Sequence, residues 1–237
     1  MSKLKDLILF EDEHIIAINK PAHLASLHER HDSGQASVVA MVKDLNPDYK
    51  LCHRIDRETS GVMLIAKDDD TYKSIARQFE QRSIKKEYHA IVSASVVLNE
   101  LCVDLPLLTD SKRRVNISRK HGKPSTTIFN TIKAFKHFTL LQCQPLTGRL
   151  HQIRIHAASQ NLPLVADELY GGKLAYLSQI KKVHKTDEAE KPLISRFALH
   201  AYQITFNTIA GKEMTIQAPY PKDFEVFVKL LNKYDLP

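Results

Sequence analysis

The stretch His53-Arg54-Ile55-Asp56-Arg57-Glu58-Thr59-Ser60-Gly61-Val62-Met63-Leu64-Ile65-Ala66-Lys67 joins two kinds of sequence. From Gly61 to Lys67 it is a continuous apolar run of strand length, which predicts a buried strand. Ahead of that run a single carboxylate, Asp56, stands between Arg54 and Arg57, and a Thr59-Ser60-Gly61 turn leads into the strand. Flanking positive charge lowers a carboxylate pKa, so Asp56 is expected to stay ionised even when partly desolvated. An oriented, ionised carboxylate can serve as a nucleophile or a base. The same pattern also suits a structural Asp–Arg ion pair where a strand begins.

Outward from this segment, strands and helices mix without a regular βαβα alternation. Leu7–Phe10 and His14–Asn19 read as strands around an acidic Glu11-Asp12-Glu13 turn. Val38, Met41, Val42 and Leu45 place one helical face within Gln35–Leu45, and Tyr72, Ile75, Ala76 and Phe79 place another within Thr71–Arg82. Tyr88, Ala90 and Val92 alternate with His89 and Ile91, the period of a strand with two distinct faces. Further strands are expected over Thr126–Phe135, Phe138–Gln144 and around Tyr202–Phe206. The last turns through Ala210-Gly211 into one carrying Met214, Ile216 and Ala218. His151–Ser159 reads as helical, and an amphipathic helix carrying Phe224, Phe227, Val228 and Leu231 follows Pro221, a good first-turn residue. The order predicts an α+β fold with a largely antiparallel or mixed sheet flanked by helices. Residues 173–196, where Lys181-Lys182, Lys185 and Asp187-Glu188 crowd together, read as an inserted, solvated loop with room for its own short helix.

The 237 residues suffice for one large domain or two small subdomains sharing a core. Hydrophobic content of 43% and charged content of 26% are those of an ordinary globular protein. No run of about 18 apolar residues suggests a membrane span, and the N-terminus is too short in apolar residues for a signal peptide, so a cytoplasmic location is expected. Cys52, Cys102 and Cys143 are scattered and odd in number, which argues against a disulfide framework and a structural zinc site. Thirty-four Lys and Arg against 27 Asp and Glu give +7, an excess that favours an anionic partner such as nucleic acid.

Two more segments carry chemistry. In Thr147-Gly148-Arg149-Leu150-His151-Gln152-Ile153-Arg154-Ile155-His156, a helix from His151 sets Arg154 one turn on along the same side. Arg149 then falls near the helix N-terminus, a favourable place for a phosphate. His151 and His156 are five apart and face different sides, unlike the i, i+4 pair of a zinc helix, so no metal is expected. In Lys85-Lys86-Glu87-Tyr88-His89-Ala90-Ile91-Val92, Tyr88 is either a core residue or a ring on which a base can stack. The basic stretch from Lys112 to Lys123, with Arg113 and Arg114, is a phosphate-contact candidate, as are Lys85 and Lys86; each can also be simply a solvated face.

These segments resemble the RluA family of pseudouridine synthases. His53–Gly61 looks like its His-Arg-Leu-Asp-x-x-Thr-Ser-Gly motif, and Lys86-x-Tyr88-x-Ala90-x-Val92 like its Lys-x-Tyr-x-Ala-x-Val strand. Arg149-x-His151-Gln152-Ile153-Arg154 is similar to its Arg-x-His-Gln-Ile-Arg segment. Pro163–Gly171 fits too, and Glu11–Ala22 and Leu199-His200-Ala201 are weaker matches in the same order. Three positions depart from the pattern: His23, Asn161 and Ala166 stand where that family usually has glycine.

The resemblance implies isomerisation of uridine to pseudouridine in structured RNA, in rRNA foremost and tRNA as well, by a monomer without cofactor or metal. It implies a single catalytic domain over 1–237, its two subdomains sharing one sheet, with no separate N-terminal RNA-binding domain. Asp56 would attack the sugar or remove its 2′ proton, Arg154 would pair with it, and Tyr88 would lie against the base. Arg54 would fill the gap left by the flipped uridine, Leu199 would line the pocket, and Arg57, Thr59, Arg149, His151 and Gln152 would bind substrate. One carboxylate suffices where the leaving base is kept, whereas a glycosidase ending on water typically uses two. Two readings stand against this one: an RNA-binding module without activity, and an unrelated hydrolase using Asp56 with His53 or His151, for which no second carboxylate, nucleophile elbow or metal set is found.

Overall fold

The computed structural model describes residues 4–27, 36–111, 114–181 and 190–237. Its elements are β1 (Ile8–Glu11), β2 (Ile15–Lys20), α1 (Val38–Leu45), β3 (Lys50–Leu51), β4 (Ser60–Ala66), α2 (Asp69–Glu80), β5 (Lys85–Val92), β6 (Leu101–Asp104), β7 (Leu107–Thr109) and β8 (Val115–Ile117). There follow β9 (Thr126–Ala134), β10 (Thr139–Pro145), α3 (Gln152–Ser159), β11 (Leu199–Asn207), β12 (Glu213–Gln217) and α4 (Lys222–Tyr234). The chain divides into two units, one formed by Met1–Glu87 with His200–Pro219 and the other by Tyr88–Leu199 with Tyr220–Pro237. None of the described helices is long and apolar enough to cross a membrane.

In the first unit the apolar run becomes the central strand. All seven residues of β4 are buried, with β2 antiparallel on one side and β11 parallel on the other. The parallel pairing makes the sheet mixed, as expected of this α+β fold; β1 extends β2, β12 extends β11, and β3 adds to β4. The acidic turn before β2 works through Asp12, whose carboxylate accepts the His14 and Ile15 N–H groups at 2.8 Å each. Both helices begin directly after a capping side chain, α1 at Val38, where its apolar period starts, and α2 at Asp69, ahead of the first apolar position at Tyr72. Ser37 accepts the Ala40 N–H ahead of α1, and Asp68 accepts the Thr71 N–H at 2.7 Å ahead of α2. The expected helix start at Gln35 lies outside the described residues.

In the second unit β5, β10, β9 and β6 form an antiparallel sheet in that order, and β7 and β8 pair as a separate ribbon. Aliphatic and aromatic side chains of α4, Phe224, Phe227 and Leu231, enter a core with Phe135, Phe138 and Val165. The Phe138 and Phe227 rings meet edge to face at 5.5 Å. Three expectations need correction. The two faces of β5 are not distinct: His89, Ala90, Ile91 and Val92 are all buried, and His89 is accommodated by a bond between its imidazole and the Tyr220 hydroxyl. Pro221 stands at the N-cap position of α4, ahead of its first turn, without a side-chain capping bond. Residues 173–196 are not a solvated loop in their described parts: Ala175, Ile180, Ile194 and Arg196 are buried, with a 3₁₀ turn at Leu177–Gln179. Their apolar residues follow neither helical nor strand spacing, so the neighbouring charges dominated the sequence pattern; positions 182–189 lie outside the described residues.

His23, Asn161 and Ala166, the three departures from glycine, all have positive φ, at 66°, 58° and 60°. The backbone thus keeps the left-handed conformation that glycine adopts freely, at a cost of about 1–2 kcal/mol for an L-residue. Asn tolerates this region better than Ala. Ala166→Gly is therefore expected to raise stability by about 0.5–1 kcal/mol, the relief of strain exceeding the extra unfolded-chain entropy of glycine. Urea unfolding midpoints of the two proteins check this, and an unchanged or lower midpoint would show that the site is not strained.

Candidate active site

The Asp56 loop is fastened to the chain that follows β2. Lys20 is fully buried, and its ammonium donates to the carbonyls of Pro21 (2.9 Å), Leu24 (2.8 Å) and Arg57 (3.0 Å). A buried charge needs such a shell of acceptors, and here the shell ties the residue after Asp56 to the 20–26 segment. Ser26 adds a reciprocal pair, its hydroxyl donating to the Ile55 carbonyl at 2.6 Å and accepting the Ile55 N–H at 3.2 Å. The Arg57 guanidinium donates to the His23 carbonyl, and Glu58 pairs with the His23 ring at 2.5 Å. Within the loop the Thr59 N–H donates to the Asp56 carbonyl at 3.1 Å, so the turn centres on Arg57-Glu58 and not on the expected Thr59-Ser60-Gly61, whose Ser60 and Gly61 already belong to β4. Asp56 is half-buried, and Arg54 and Arg57 are exposed on either side of it.

At its exit the loop is held by β11. The Ser60 hydroxyl bonds to His200 Nδ1 at 2.9 Å, and His200 Nε2 to the Ala218 carbonyl at 3.0 Å. The carbonyl can only accept, so Nε2 carries the proton and Nδ1 accepts from Ser60. Gly61 has φ +123°, and a Cβ there would lie 2.1 Å from the Ala201 carbonyl oxygen.

Ahead of the loop, His53 Nε2 accepts the Leu64 N–H at 3.0 Å and its ring lies 5.1 Å from that of Phe79. Burial pulls the His53 pKa down from 6.5 to about 3, with the nearby Lys86 charge adding to the effect. Between those values the unfolded chain binds a proton that the folded one does not. Stability from this group is therefore full above pH 6.5 and lost as pH falls toward 3. His53→Gln is expected to flatten the fall in unfolding midpoint between pH 7 and 5 relative to the parent; parallel profiles would count against a neutral, buried His53. The hydrolase reading also loses its His53, which is committed to a backbone N–H.

Tyr88, Arg154 and Leu199 belong to the second unit. Tyr88 is half-buried on β5 opposite Cys143 of β10, against a cluster that contains Ile153, Phe197 and Leu199. Arg154 is buried on α3. Its Nε and Nη2 grip the Asp167 carboxylate at 2.7 and 2.6 Å, and its guanidinium carbon lies 4.0 Å from the Phe197 ring centre and 5.0 Å from that of Tyr170. A two-pronged bond plus two aromatic faces leaves the guanidinium little orientational freedom. His151 and Arg154 share a side as expected, meeting through Tyr170, whose hydroxyl bonds His151 Nδ1 at 2.9 Å. Arg196, also buried, forks onto Asp223 and donates to the Leu199 carbonyl at 3.1 Å, fixing that leucine's backbone.

Gln152 departs from its expected substrate contact. Its oxygen accepts from Thr147 Oγ1 and the Arg149 N–H, and its nitrogen donates to the Thr126 carbonyl and Thr127 Oγ1. These four bonds saturate an amide, so Gln152 is a scaffold residue joining α3 to β9. Arg149 donates to the Pro124 carbonyl from the same corner. His156 is equally committed, to Thr127 Oγ1 and the Leu105 carbonyl. Among the described residues no three His, Cys, Asp or Glu side chains gather as metal ligands.

The phosphate candidates divide. Lys85 is exposed and 3.5 Å from Glu213, and Arg114 pairs with Asp110 at 2.9 Å. Lys86 is half-buried, and burial lowers its pKa to about 8. Lys123 is exposed, with its backbone paired to Leu107; Lys112 and Arg113 lie outside the described residues. The sequence reading missed Lys20, Ser26, Asp167, Tyr170 and Arg196 as supports of the site. A signal existed for Asp167 and Tyr170 in the Pro163–Gly171 segment, but nothing in spacing tells that Lys20 is buried.

Residues 14–159 match the RNA pseudouridylate synthase family. Ribosomal large subunit pseudouridine synthase C of Vibrio vulnificus is 33% identical over 238 residues, covering 98% of this chain and 71% of that protein. The dual-specificity RNA pseudouridine synthase RluA of the same organism is 36% identical over 170 residues, 69% of this chain and 68% of that one. The solved structure of human RNA pseudouridylate synthase domain containing 4 superposes with a TM-score of 0.75 at 25% identity, covering 97% of this chain and 94% of the other. Given a family match over more than half its length and relatives above 30% identity, the chain belongs to the RluA family of RNA pseudouridine synthases.

Proposed function

We propose that this RNA isomerase acts on ribosomal RNA of the large subunit, with Asp56 as its catalytic carboxylate. The observation that carries the substrate is the likeness, over 98% of the chain, to a relative named for the large ribosomal subunit. In the reaction the C1′–N1 bond of uridine breaks, the base turns, C1′ bonds to C5, C5 gives up its proton and N1 gains one. No net oxidation or group transfer occurs, so the reaction consumes no cofactor. Asp56 acts on the ribose, either at C1′ or on the C2′ proton, and both routes need it ionised. Arg154 supplies a fixed positive charge, Tyr88 a ring for a base, and Leu199 an apolar surface that keeps water from a detached uracil. Arg54 and Arg57, exposed beside Asp56, hold the RNA around the flipped nucleotide, with Thr59, Arg149 and His151 close to the substrate. The enzyme works as a monomer in the cytoplasm.

A second reading, action on tRNA as well, is favoured by the relative named as dual-specificity. Pseudouridine mapping on unmodified large-subunit rRNA and tRNA transcripts separates the two. Conversion at a defined rRNA position supports the first reading, and additional conversion in tRNA supports the second. Conversion of tRNA alone would overturn the rRNA assignment.

A further inference from the structure

A second concentration of positive charge lies at the end of α4, made by segments far apart in sequence. Lys133 on β9 donates its ammonium to Asn232 Oδ1 at 2.6 Å. Lys136 follows in the β9–β10 turn and donates its backbone N–H to the Asp235 carbonyl at 2.8 Å. The ammonium groups of Lys181 and Lys233 lie 5.5 and 5.1 Å from the Tyr234 ring centre. Lys133, Lys136 and Lys233 are exposed. Asp235, the carboxylate inside this cluster, is buried and engaged by the His137 ring and N–H, so it presents no charge to solvent.

Lys233 alone would be accounted for by the partial negative charge of a helix C-terminus. Lys133, Lys136 and Lys181 come from a strand, a turn and the segment after a 3₁₀ turn, and a helix end that carries only about half a negative charge does not balance four lysines. By contrast, Lys229, one turn earlier on α4, pairs with Glu225 at 2.7 Å. From this contrast we infer that Lys133, Lys136, Lys181 and Lys233, grouped around Tyr234, form a contact surface for the phosphate backbone of a structured RNA. The inference rests on the RNA-modifying reading and adds to it an anchoring surface on the α4 end. Ammonium groups on flexible stems suit phosphates as point charges and carry no base specificity. The surface would therefore set affinity and leave the choice of uridine to the Asp56 loop. Tyr234, partly exposed, holds two of the ammonium groups close together over its ring.

The test is equilibrium binding of the full chain to an unmodified large-subunit rRNA transcript across a salt series. It compares the parent with Lys133→Glu/Lys136→Glu/Lys233→Glu and with the milder triple replacement by Gln. All three side chains are exposed, and the Gln set guards against an effect of reversed charge on folding. The Glu set is expected to weaken binding at least tenfold near 0.1 M salt, the Gln set by less. In both, the slope of log K against log salt should shrink by about 2–3, close to one per lost phosphate contact. Affinity and slope equal to the parent's in both sets would overturn the inference and leave these lysines as a solvated face. Since the readout is binding, failure here is distinct from a failure to form pseudouridine.

Discussion

Asp56→Asn is expected to abolish pseudouridine formation, lowering the single-turnover rate at saturating RNA by at least about 10³-fold, a loss typical of removing a catalytic nucleophile or base. The substitution keeps size and polarity, and the loop is also held by bonds that do not involve the carboxylate. Lys20 grips the Arg57 carbonyl, Ser26 grips Ile55, and Thr59 bonds the Asp56 carbonyl rather than its side chain. Thermal stability should thus stay near the parent's, and RNA affinity should stay within about threefold, as for a surface loss of one charge. Rapid-quench kinetics with saturating transcript, beside a binding isotherm, separate these effects. A variant that retains a tenth of the parent rate would remove Asp56 from the chemistry and return it to the structural ion-pair reading.

Gly61→Ala is expected to produce the largest loss of stability of any single methyl addition in the Asp56 segment. The added Cβ would meet the Ala201 carbonyl oxygen at 2.1 Å, and the Ala201 carbonyl carbon and amide nitrogen at 2.7 Å. These are backbone atoms of the parallel β4–β11 pairing and cannot rotate away. At φ +123° the residue also lies where an L-side chain is strained. Strain of about 1–2 kcal/mol and overpacking of about 1–3 kcal/mol together approach the margin of an ordinary domain. A fall in Tm of roughly 10 °C follows for a chain of this size. Turnover should fall along with it, because Ser60 and its bond to His200 sit at the same crossing. Differential scanning calorimetry checks this; a Tm within about 2 °C of the parent would mean that β4 and β11 separate readily there.

The sequence made β4 legible because the six consecutive residues Gly61–Ala66, free of polar side chains, need burial on both faces. It made α2 and α4 legible because their apolar stripes have helical spacing. The short strands β3, β6, β7 and β8 have two to four residues each, too few to show a period. The Asp56 loop, Tyr88 and Arg154 were legible only as motif residues in a fixed order. Their supports were hidden for a physical reason. A buried Lys20 and a solvated lysine have the same letter, and what distinguishes them is three carbonyls, two of them next door and one 37 residues away. Gln152 misled in the opposite direction: a polar residue in a motif suggested substrate, whereas its four bonds go to the fold. The left-handed residues His23, Asn161 and Ala166 show the converse, since departures from glycine marked where the backbone bends without changing how it bends.

Isomerisation differs from hydrolysis in where the uracil ends. The most direct measurement uses an rRNA transcript carrying tritium at uridine C5, followed by counting released label and by mass analysis of the RNA. The expected result is release of one tritium per modified site in RNA whose mass is otherwise unchanged, with pseudouridine at that site and no free uracil. Free uracil with an abasic site would contradict the account, for it would show the sugar–base bond broken and closed on water instead of on C5.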